Sequence, residues 1–390
     1  MQDKQIEKLI KEEKERQKKV INLIASENYV SQDVLDALGS ELNNKYAEGY
    51  SALRYYGGNE VVDKVENLCK ERALKAFHLD PKKWAVNVQP LSGSPANLAV
   101  YLALVPLGEK IMGMSLPHGG HLTHGQKVSM TGKCWQPVSY GVAEDTETLD
   151  YRALKELAKK EMPKIVVCGY TAYPRVVDFK KMRAVADVAK AYLMVDMSHF
   201  AGLVAGEVYP SPFEYADVVT STTHKTLRGP RAAIIFSKID DRDLPKKIDK
   251  AVFPGLQGGP HLNQIAGVAV ALGEAMKPAF KKYAKQVVLN TQALADELSK
   301  LGWRIVSGGT DSHLCLVDTW MNGAGIGGKE ASDRLEKNGI IVNKNTIPFD
   351  ARTPVDPSGI RIGMAAETTR GAKEKQARDI ARNIDSILRK

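Results

Sequence analysis

The sequence predicts an α/β fold: a large domain built on a mostly parallel sheet flanked by helices, followed by a smaller α+β domain. Three observations lead there. Between about residues 60 and 250, helical and strand patterns alternate, as in βαβ units with right-handed crossovers. After about residue 300 the pattern changes to short apolar runs around one amphipathic helix. The 390 residues also exceed one ordinary core, since a domain averages about 150 residues.

Residues 4–20 alternate lysine and arginine with glutamate and carry few apolar positions, so they read as a charged helical arm lying on a partner subunit. The expected division is an arm over 1–22, a large domain over 23–265 and a small domain over 266–390. Val61 to Phe77 is helical. Ser94 reads as an N-cap with Pro95 at the first helical position and Ala96 to Val105 continuing the helix. Lys164 to Cys168 is an apolar strand. Lys180 to Lys190 is a helix with Met182, Val185, Ala186 and Ala189 on one face. Ala191 to Asp196 is the next strand, ending in a carboxylate. Asp217 to Thr226 is a polar strand with Lys225 near its end. In parallel sheets ligands sit beyond the carboxyl ends of strands, and Asp196 and Lys225 both fall there. Leu262 to Ser299 reads as one long helix. Strands then follow over Trp303–Val306 and His313–Val317, a helix over Lys329–Lys337, strands over Ile340–Val342 and Gly359–Ile362, and a last helix from about residue 370.

Composition narrows the function classes. A hydrophobic content of 43% and a charged content of 26% suit a soluble globular chain. No run approaches the roughly 18 apolar residues of a membrane span, and Met1-Gln2-Asp3-Lys4 leads into no secretory h-region. The four cysteines, Cys69, Cys134, Cys168 and Cys315, form no CxxC pair and read as reduced, buried residues of a cytoplasmic protein. The net charge of +9 comes without a basic run interleaved with aromatics, so it speaks for anionic small molecules rather than nucleic acid.

The chemistry gathers at Lys225. Alone it would be one of 55 basic residues, but it follows Thr222, Thr223 and His224 and precedes the turn Leu227-Arg228-Gly229-Pro230-Arg231. A lysine amine, an aspartate and the helix opening at Ser92-Gly93-Ser94-Pro95 are what a protein needs for pyridoxal phosphate. The amine forms a Schiff base, the carboxylate pairs the pyridine nitrogen and the helix end receives the phosphate. The loop His118-Gly119-Gly120-His121-Leu122-Thr123-His124-Gly125 has three histidines but no nearby carboxylate or cysteine. A histidine stacked on a flat ring suits it better than a metal, and no metal is expected. Gly323 to Gly328 matches GxGxxG, yet no acidic residue follows at about 20 positions, where a ribose contact belongs, and a surface turn is the simpler reading. The Tyr- and Gly-rich segment Tyr46 to Gly58 has no period and reads as an ordered loop.

Taken together, the chain resembles the serine hydroxymethyltransferase family over nearly its whole length. The matching stretches are Leu23–Asn28, Asn44–Tyr50, Arg54–Gly58, Asn87–Ser94, His118–Gly125, Val195–His199, Thr222–Leu227, Phe253–Pro260 and Val342–Asn345. The resemblance implies a fold-type I pyridoxal-phosphate enzyme with a mostly parallel seven-stranded sheet, working as a homodimer or dimer of dimers with shared sites. It implies that Lys225 carries the cofactor, Asp196 pairs its ring nitrogen, His121 stacks on the ring, and Thr171 and His199 face the ring oxygen. Ser92, Gly93 and Ser94 would hold the phosphate, with Gly259 and Tyr46 reaching in from the neighbouring subunit. Ser26 and Arg361 would bind the substrate carboxylate. Glu48 and Tyr56, also from the neighbour, would serve the hydroxymethyl group, with Glu48 handling the proton, and Thr222 and His224 would flank the lysine. Leu116, Gly120, Leu122, Asn345, Thr353, Pro354 and Val355 lie where the family binds folate.

The reaction implied is reversible transfer of the serine hydroxymethyl group to tetrahydrofolate, giving glycine and 5,10-methylenetetrahydrofolate. A folate-independent 3-hydroxy-amino-acid aldolase or transaldolase of the same family, and a non-catalytic binding protein on this scaffold, are the other readings. Two departures bear on them. Gly363-Met364-Ala365-Ala366 replaces the family's usual Gly-Thr-Pro-Ala, and Val355 stands where an aromatic is common.

Overall fold

A computed structural model describes residues 1–389; Lys390, the last residue of the expected small domain, lies outside the described residues. The N-terminal arm is helix α1 (Lys4–Lys19), which buries none of its residues and leaves Ile6, Leu9 and Ile10 exposed. Asp3 caps it by accepting from the Gln5 and Ile6 N–H groups. Helix α2 (Glu60–Ala76) buries Val62, Cys69, Ala73 and Ala76 against the large core.

The large domain is a seven-stranded sheet of β1 (Trp84–Asn87), β2 (Lys110–Met114), β3 (Gln136–Tyr140), β4 (Ile165–Gly169), β5 (Tyr192–Asp196), β6 (Val218–Thr222) and β7 (Ala233–Lys238). Across the sheet the order is β1-β7-β6-β5-β4-β2-β3. Every pairing is parallel except the two made by β7, which runs against β1 and β6. Strands β4, β5 and β6 are buried on both faces (Tyr192 alone is half-buried), which is why they read as near-continuous apolar or small-residue runs. Register pairs Gly169 with Asp196 and Asp196 with Thr220, so the carboxyl ends of the three strands open at one level.

Helix α3 (Gly93–Leu104) follows β1. Its N-cap is Ser92 and not Ser94, and Pro95 occupies the third helical position rather than the first. The fixed φ of proline is compatible with the whole first turn, where no intrahelical N–H bond is lost. The long helix expected over Leu262–Ser299 is two: α4 (Leu262–Ala275) and α5 (Pro278–Lys300). Pro278 cannot continue the hydrogen bonding of α4, and Lys277, in an extended conformation, marks the break.

Helix α4 and the first half of α5, including Phe280, Tyr283, Ala284 and Val287, belong to the core of the large sheet. Ala293, Leu294, Ala295 and Leu298 belong to a second core, so the two cores meet inside α5, downstream of residue 265. The second core covers an antiparallel sheet of β8 (Arg304–Ile305), β9 (Leu314–Asp318), β10 (Asn343–Asn345) and β11 (Gly359–Gly363), in the order β8-β9-β11-β10. Helices α6 (Gly328–Lys337) and α7 (Glu374–Leu388) close it through Leu335, Ile380 and Ile384. The strand expected over Ile340–Val342 is one residue shorter, and a further strand, not expected, follows it. Ile340–Ile341 pairs in parallel with Ile21–Asn22, and the sheet strand begins only at Asn343. Leu23 is thereby drawn into the small-domain core.

Candidate active site

One cavity of about 180 Å³ lies beyond the carboxyl ends of β4, β5 and β6. Its walls are Ser92, Gly93, Ser94 and Asn97 from the start of α3; His121 from the histidine loop; Tyr170 and Thr171 after β4; Asp196, Ser198 and His199 at the end of β5; and Thr222, His224, Lys225 and Arg231 at and after β6. Thus Ser92, Gly93, Ser94, His121, Thr171, Asp196, His199, Thr222, His224 and Lys225 are brought together. Asn97, Tyr170, Ser198 and Arg231 join them and were not singled out from sequence. An asparagine on the buried face of an apolar helix was the available signal for Asn97.

Lys225 is half-buried, and its Nζ donates to Thr222 Oγ1 at 3.0 Å. Burial lowers the amine to about 8; Asp196 opposes the shift, while Arg361 and Arg231 add to it. Asp196 is pushed up by burial, but His124, His121 and Ser198 outweigh that and hold it well below the usual carboxylate range. Its Oδ2 accepts from Asn97 Nδ2 at 2.8 Å and from His124 Nε2 at 3.1 Å, and its Oδ1 accepts from the Ser198 N–H at 3.1 Å. The histidine tautomers follow from their partners. His124 Nδ1 accepts the His121 N–H at 3.2 Å, so its proton is on Nε2, toward Asp196. His121 Nδ1 accepts from the Thr123 N–H at 3.2 Å, and burial, helped by His124, lowers its pKa to about 4. A neutral ring at that place suits stacking on a flat ligand.

The start of α3 is open to an anion. Ser92 makes no side-chain cap bond, so the first N–H groups of the helix have no side-chain acceptor. A Cβ on Gly93 would come within 2.6 Å of Thr222 Cγ2, so only glycine lets this backbone approach β6. His224 Nδ1, beside the cavity, has no hydrogen-bond partner, and burial, Lys225 and Arg231 lower that histidine to about 3. His199 is held well below the usual histidine value by burial, then by Lys225 and Arg361, and its Nδ1 lies 3.1 Å from His313 Nε2.

Arg361, in β11, stands directly behind Thr171. Its Nη1 donates to the Thr171 carbonyl and its Nη2 to Asn343 Oδ1, both at 2.7 Å. Its Nε is buried without a partner, and no carboxylate pairs with it among the described residues. Burial lowers the guanidinium to about 10. A buried cation with an unused donor is costly unless an anion arrives. Ser26 does not line the Lys225 cavity; it lines an adjoining one, and His224 and Arg231 form the wall between them.

Tyr46, Glu48, Tyr56 and Gly259 form a separate surface cluster. Tyr56 Oη donates to Glu48 Oε2 at 3.0 Å, Tyr46 Oη lies 3.3 Å from Glu48 Oε1, and the two rings meet edge to face at 5.8 Å. A Cβ on Gly259 would touch the Tyr46 ring at 3.3 Å. The tyrosines are 58% and 52% exposed in the single chain. Of the residues matched to folate binding, Gly120 is buried and its carbonyl accepts from Thr171 Oγ1 at 3.0 Å. Leu116 and Leu122 open short turns of the histidine loop, Asn345 ends β10, and Thr353, Pro354 and Val355 form an exposed turn. None of the seven lines the Lys225 cavity.

Among the described residues no cluster of histidine, cysteine and carboxylate has metal-binding geometry, and no helix is long and apolar enough to cross a membrane. The cavity does fit pyridoxal phosphate, with a reactive amine, an ionised carboxylate and an open helix end all among its lining. A family model described as serine hydroxymethyltransferase matches residues 1–384. The chain therefore belongs to the serine hydroxymethyltransferase family of fold-type I, pyridoxal-phosphate-dependent enzymes.

Proposed function

We propose that this chain transfers the hydroxymethyl group of L-serine to tetrahydrofolate, reversibly, giving glycine and 5,10-methylenetetrahydrofolate. The observation that carries the reading is one cavity lined by an ionised Asp196 at the end of β5, a readily deprotonated Lys225 three residues beyond β6 and the open start of α3. Pyridoxal phosphate bound there through Lys225 supplies the electron sink for bonds broken at the amino-acid α-carbon.

The residues divide the remaining work. Ser92, Gly93 and Ser94 hold the phosphate with N–H and hydroxyl donors. Asp196, kept ionised by His124 and Asn97, holds a proton at the pyridine nitrogen. His121 would cover one ring face, and Thr171 and His199 would border the ring oxygen. Arg361 receives the amino-acid carboxylate through its unused Nε and remaining N–H bonds, with Ser26 assisting. Lys225, poised near pH 8, exchanges its proton readily at working pH. Glu48, with Tyr56 donating to it, holds and moves the proton of the serine hydroxyl; Tyr46, Glu48, Tyr56 and Gly259 come from a second subunit, which the exposure of the two tyrosines supports. Leu116, Gly120, Leu122, Asn345 and Thr353 to Val355 form the folate side. Val355, 71% exposed, offers little cover for a flat ligand, which supports a folate-independent aldolase as the second reading.

Two measurements test this. Borohydride reduction followed by peptide mapping is expected to leave a pyridoxyl group on Lys225, and Lys225→Ala is expected to fold yet lose turnover. Serine cleavage is expected to need tetrahydrofolate. Cleavage as fast without it would transfer the assignment to the aldolase reading, and an unmodified Lys225 would defeat both.

A further inference from the structure

Residues 47 to 56, read from sequence as a loop, contain a short antiparallel hairpin that pairs Gly49 with Arg54 and Tyr50 with Leu53, and its holding structure is unlike a surface turn. Three consecutive residues, Arg54, Tyr55 and Tyr56, each grip the segment around Glu48. Arg54 Nη1 donates to the Ala47 carbonyl at 2.9 Å and to the Gly49 carbonyl at 2.7 Å, the two carbonyls flanking Glu48. The Tyr55 N–H donates to the Glu48 carbonyl at 3.1 Å, and Tyr56 Oη donates to the Glu48 carboxylate. The other end of the arginine is anchored: Nε donates to Asp63 Oδ1 at 2.9 Å and Nη2 to Glu66 Oε2 at 2.7 Å, both carboxylates on α2. The Arg54 side chain is 3% exposed and that of Glu66 is 0%. Gln89 completes the grip by donating to the Gly49 carbonyl at 3.0 Å and to Glu66 Oε2 at 3.1 Å. Gly49 itself has φ +91°, a conformation only glycine holds cheaply, so the chain here is bent to a set shape.

A buried arginine joined to two carboxylates needs no further partners for its charge. Spending its remaining donors on the carbonyls either side of one glutamate, itself at the surface, ties that glutamate's backbone to the rigid helix beneath. We propose that Arg54 is a positioning residue, fixing the backbone on both sides of Glu48 so that its carboxylate is delivered from this surface at a set place and angle. The inference rests on the reading of Glu48 as the proton-handling group.

The test uses the full chain loaded with pyridoxal phosphate and the variants Arg54→Lys, Gln89→Leu, Glu48→Gln and Glu48→Gln with Arg54→Lys. Arg54→Lys keeps the charge but cannot span both carbonyls and both carboxylates. It is expected to lower kcat for serine with tetrahydrofolate on the order of 10- to 100-fold, the scale of a misplaced catalytic group, while the dissociation constant for glycine stays at its wild-type value. Amide hydrogen exchange is expected to quicken over residues 48–56 and nowhere else, and the double variant should be no slower than Glu48→Gln alone. Gln89→Leu, which removes one donor to Gly49, should show the same exchange change to a smaller degree and decides the matter if Arg54→Lys does not fold. Wild-type exchange and turnover in these variants beside a slow Glu48→Gln would overturn the clamp alone. Wild-type turnover in Glu48→Gln would overturn the Glu48 reading and with it the purpose of the clamp.

Discussion

Lys225 is ordinary in composition and unusual in setting. Its amine gives up a proton near pH 8, against 10.5 for an unperturbed lysine. Between those values the folded chain binds fewer protons than the unfolded chain, so this residue makes stability rise as pH climbs through that window, and its cost is felt in full below about 8. The shift corresponds to roughly 3 kcal/mol. In cofactor-free protein, Lys225→Met is therefore expected to be the more stable form at pH 7, with the advantage shrinking toward pH 10; urea midpoints at both pH values measure it, and a gap independent of pH would count against the assignment. Arg361 makes the opposite kind of prediction. Its unpaired Nε is an invitation to a carboxylate, and Arg361→Ala should weaken serine binding by roughly 100-fold or more. An unchanged KM would remove Arg361 from the site. Lys225, Asp196 and the glycine-bearing helix start were legible because each sits at a strand end or helix start that periodicity marks. Asn97 was not, because its value lies in holding Asp196, a contact between segments far apart in sequence, and Ser198 was not, because its hydroxyl accepts from the Thr222 N–H on a neighbouring strand.

Secondary-structure elements fix how closely these groups meet. The approach of α3 to β6 depends on Gly93, where an added methyl would press on Thr222. Gly93→Ala should push the helix start outward and weaken pyridoxal-phosphate binding about 10- to 100-fold, the scale of a site loosened by one shifted element; fluorescence titration of the cofactor-free protein reads this directly, and wild-type affinity would refute it. Caps away from the site behave as stability terms only. Asp150 accepts from the Arg152 N–H at 2.9 Å and the Ala153 N–H at 3.1 Å, so Asp150→Ala should cost about 1 kcal/mol in thermal or urea unfolding without changing turnover. Element boundaries were less legible than element identity. Pro95 suits several first-turn positions, so the helix start came out two residues late. Pro278 was invisible as a break because apolar spacing continues across it, and the strand Asn343–Asn345 was missed because its three polar residues carry no apolar alternation.

At the scale of the whole molecule the proposed site draws on two places that one chain keeps apart. The Lys225 cavity and the Glu48 cluster are separate features, the second exposed on the surface with Tyr46, Tyr55 and Tyr56. If two copies complete each other's sites, inactive Lys225→Ala and Glu48→Gln chains unfolded and refolded together should regain about a quarter of wild-type activity, since half of the dimers are mixed and each mixed dimer holds one undamaged site of two. A mixture no more active than its parents would place both groups in one chain's site. The change of pattern near residue 300 marks where the strands of the second core begin, but the meeting of the two cores within α5 was not legible, because a continuous amphipathic helix does not announce which core each turn faces.

The pairing of Ile21–Asn22 with Ile340–Ile341, and the Gly363 N–H that donates to the Leu23 carbonyl at 2.9 Å, have a consequence for how the protein is made. A ribosome releases Leu23 early and must add more than three hundred further residues before its seat exists. Until then this apolar stretch waits in the open beside a charged helix that keeps it dispersed. The C-terminal lobe is thus finished by a segment made more than three hundred residues earlier, and a fragment starting at Pro278 would carry a vacant slot that a short peptide spanning Val20 to Ser26 should fill.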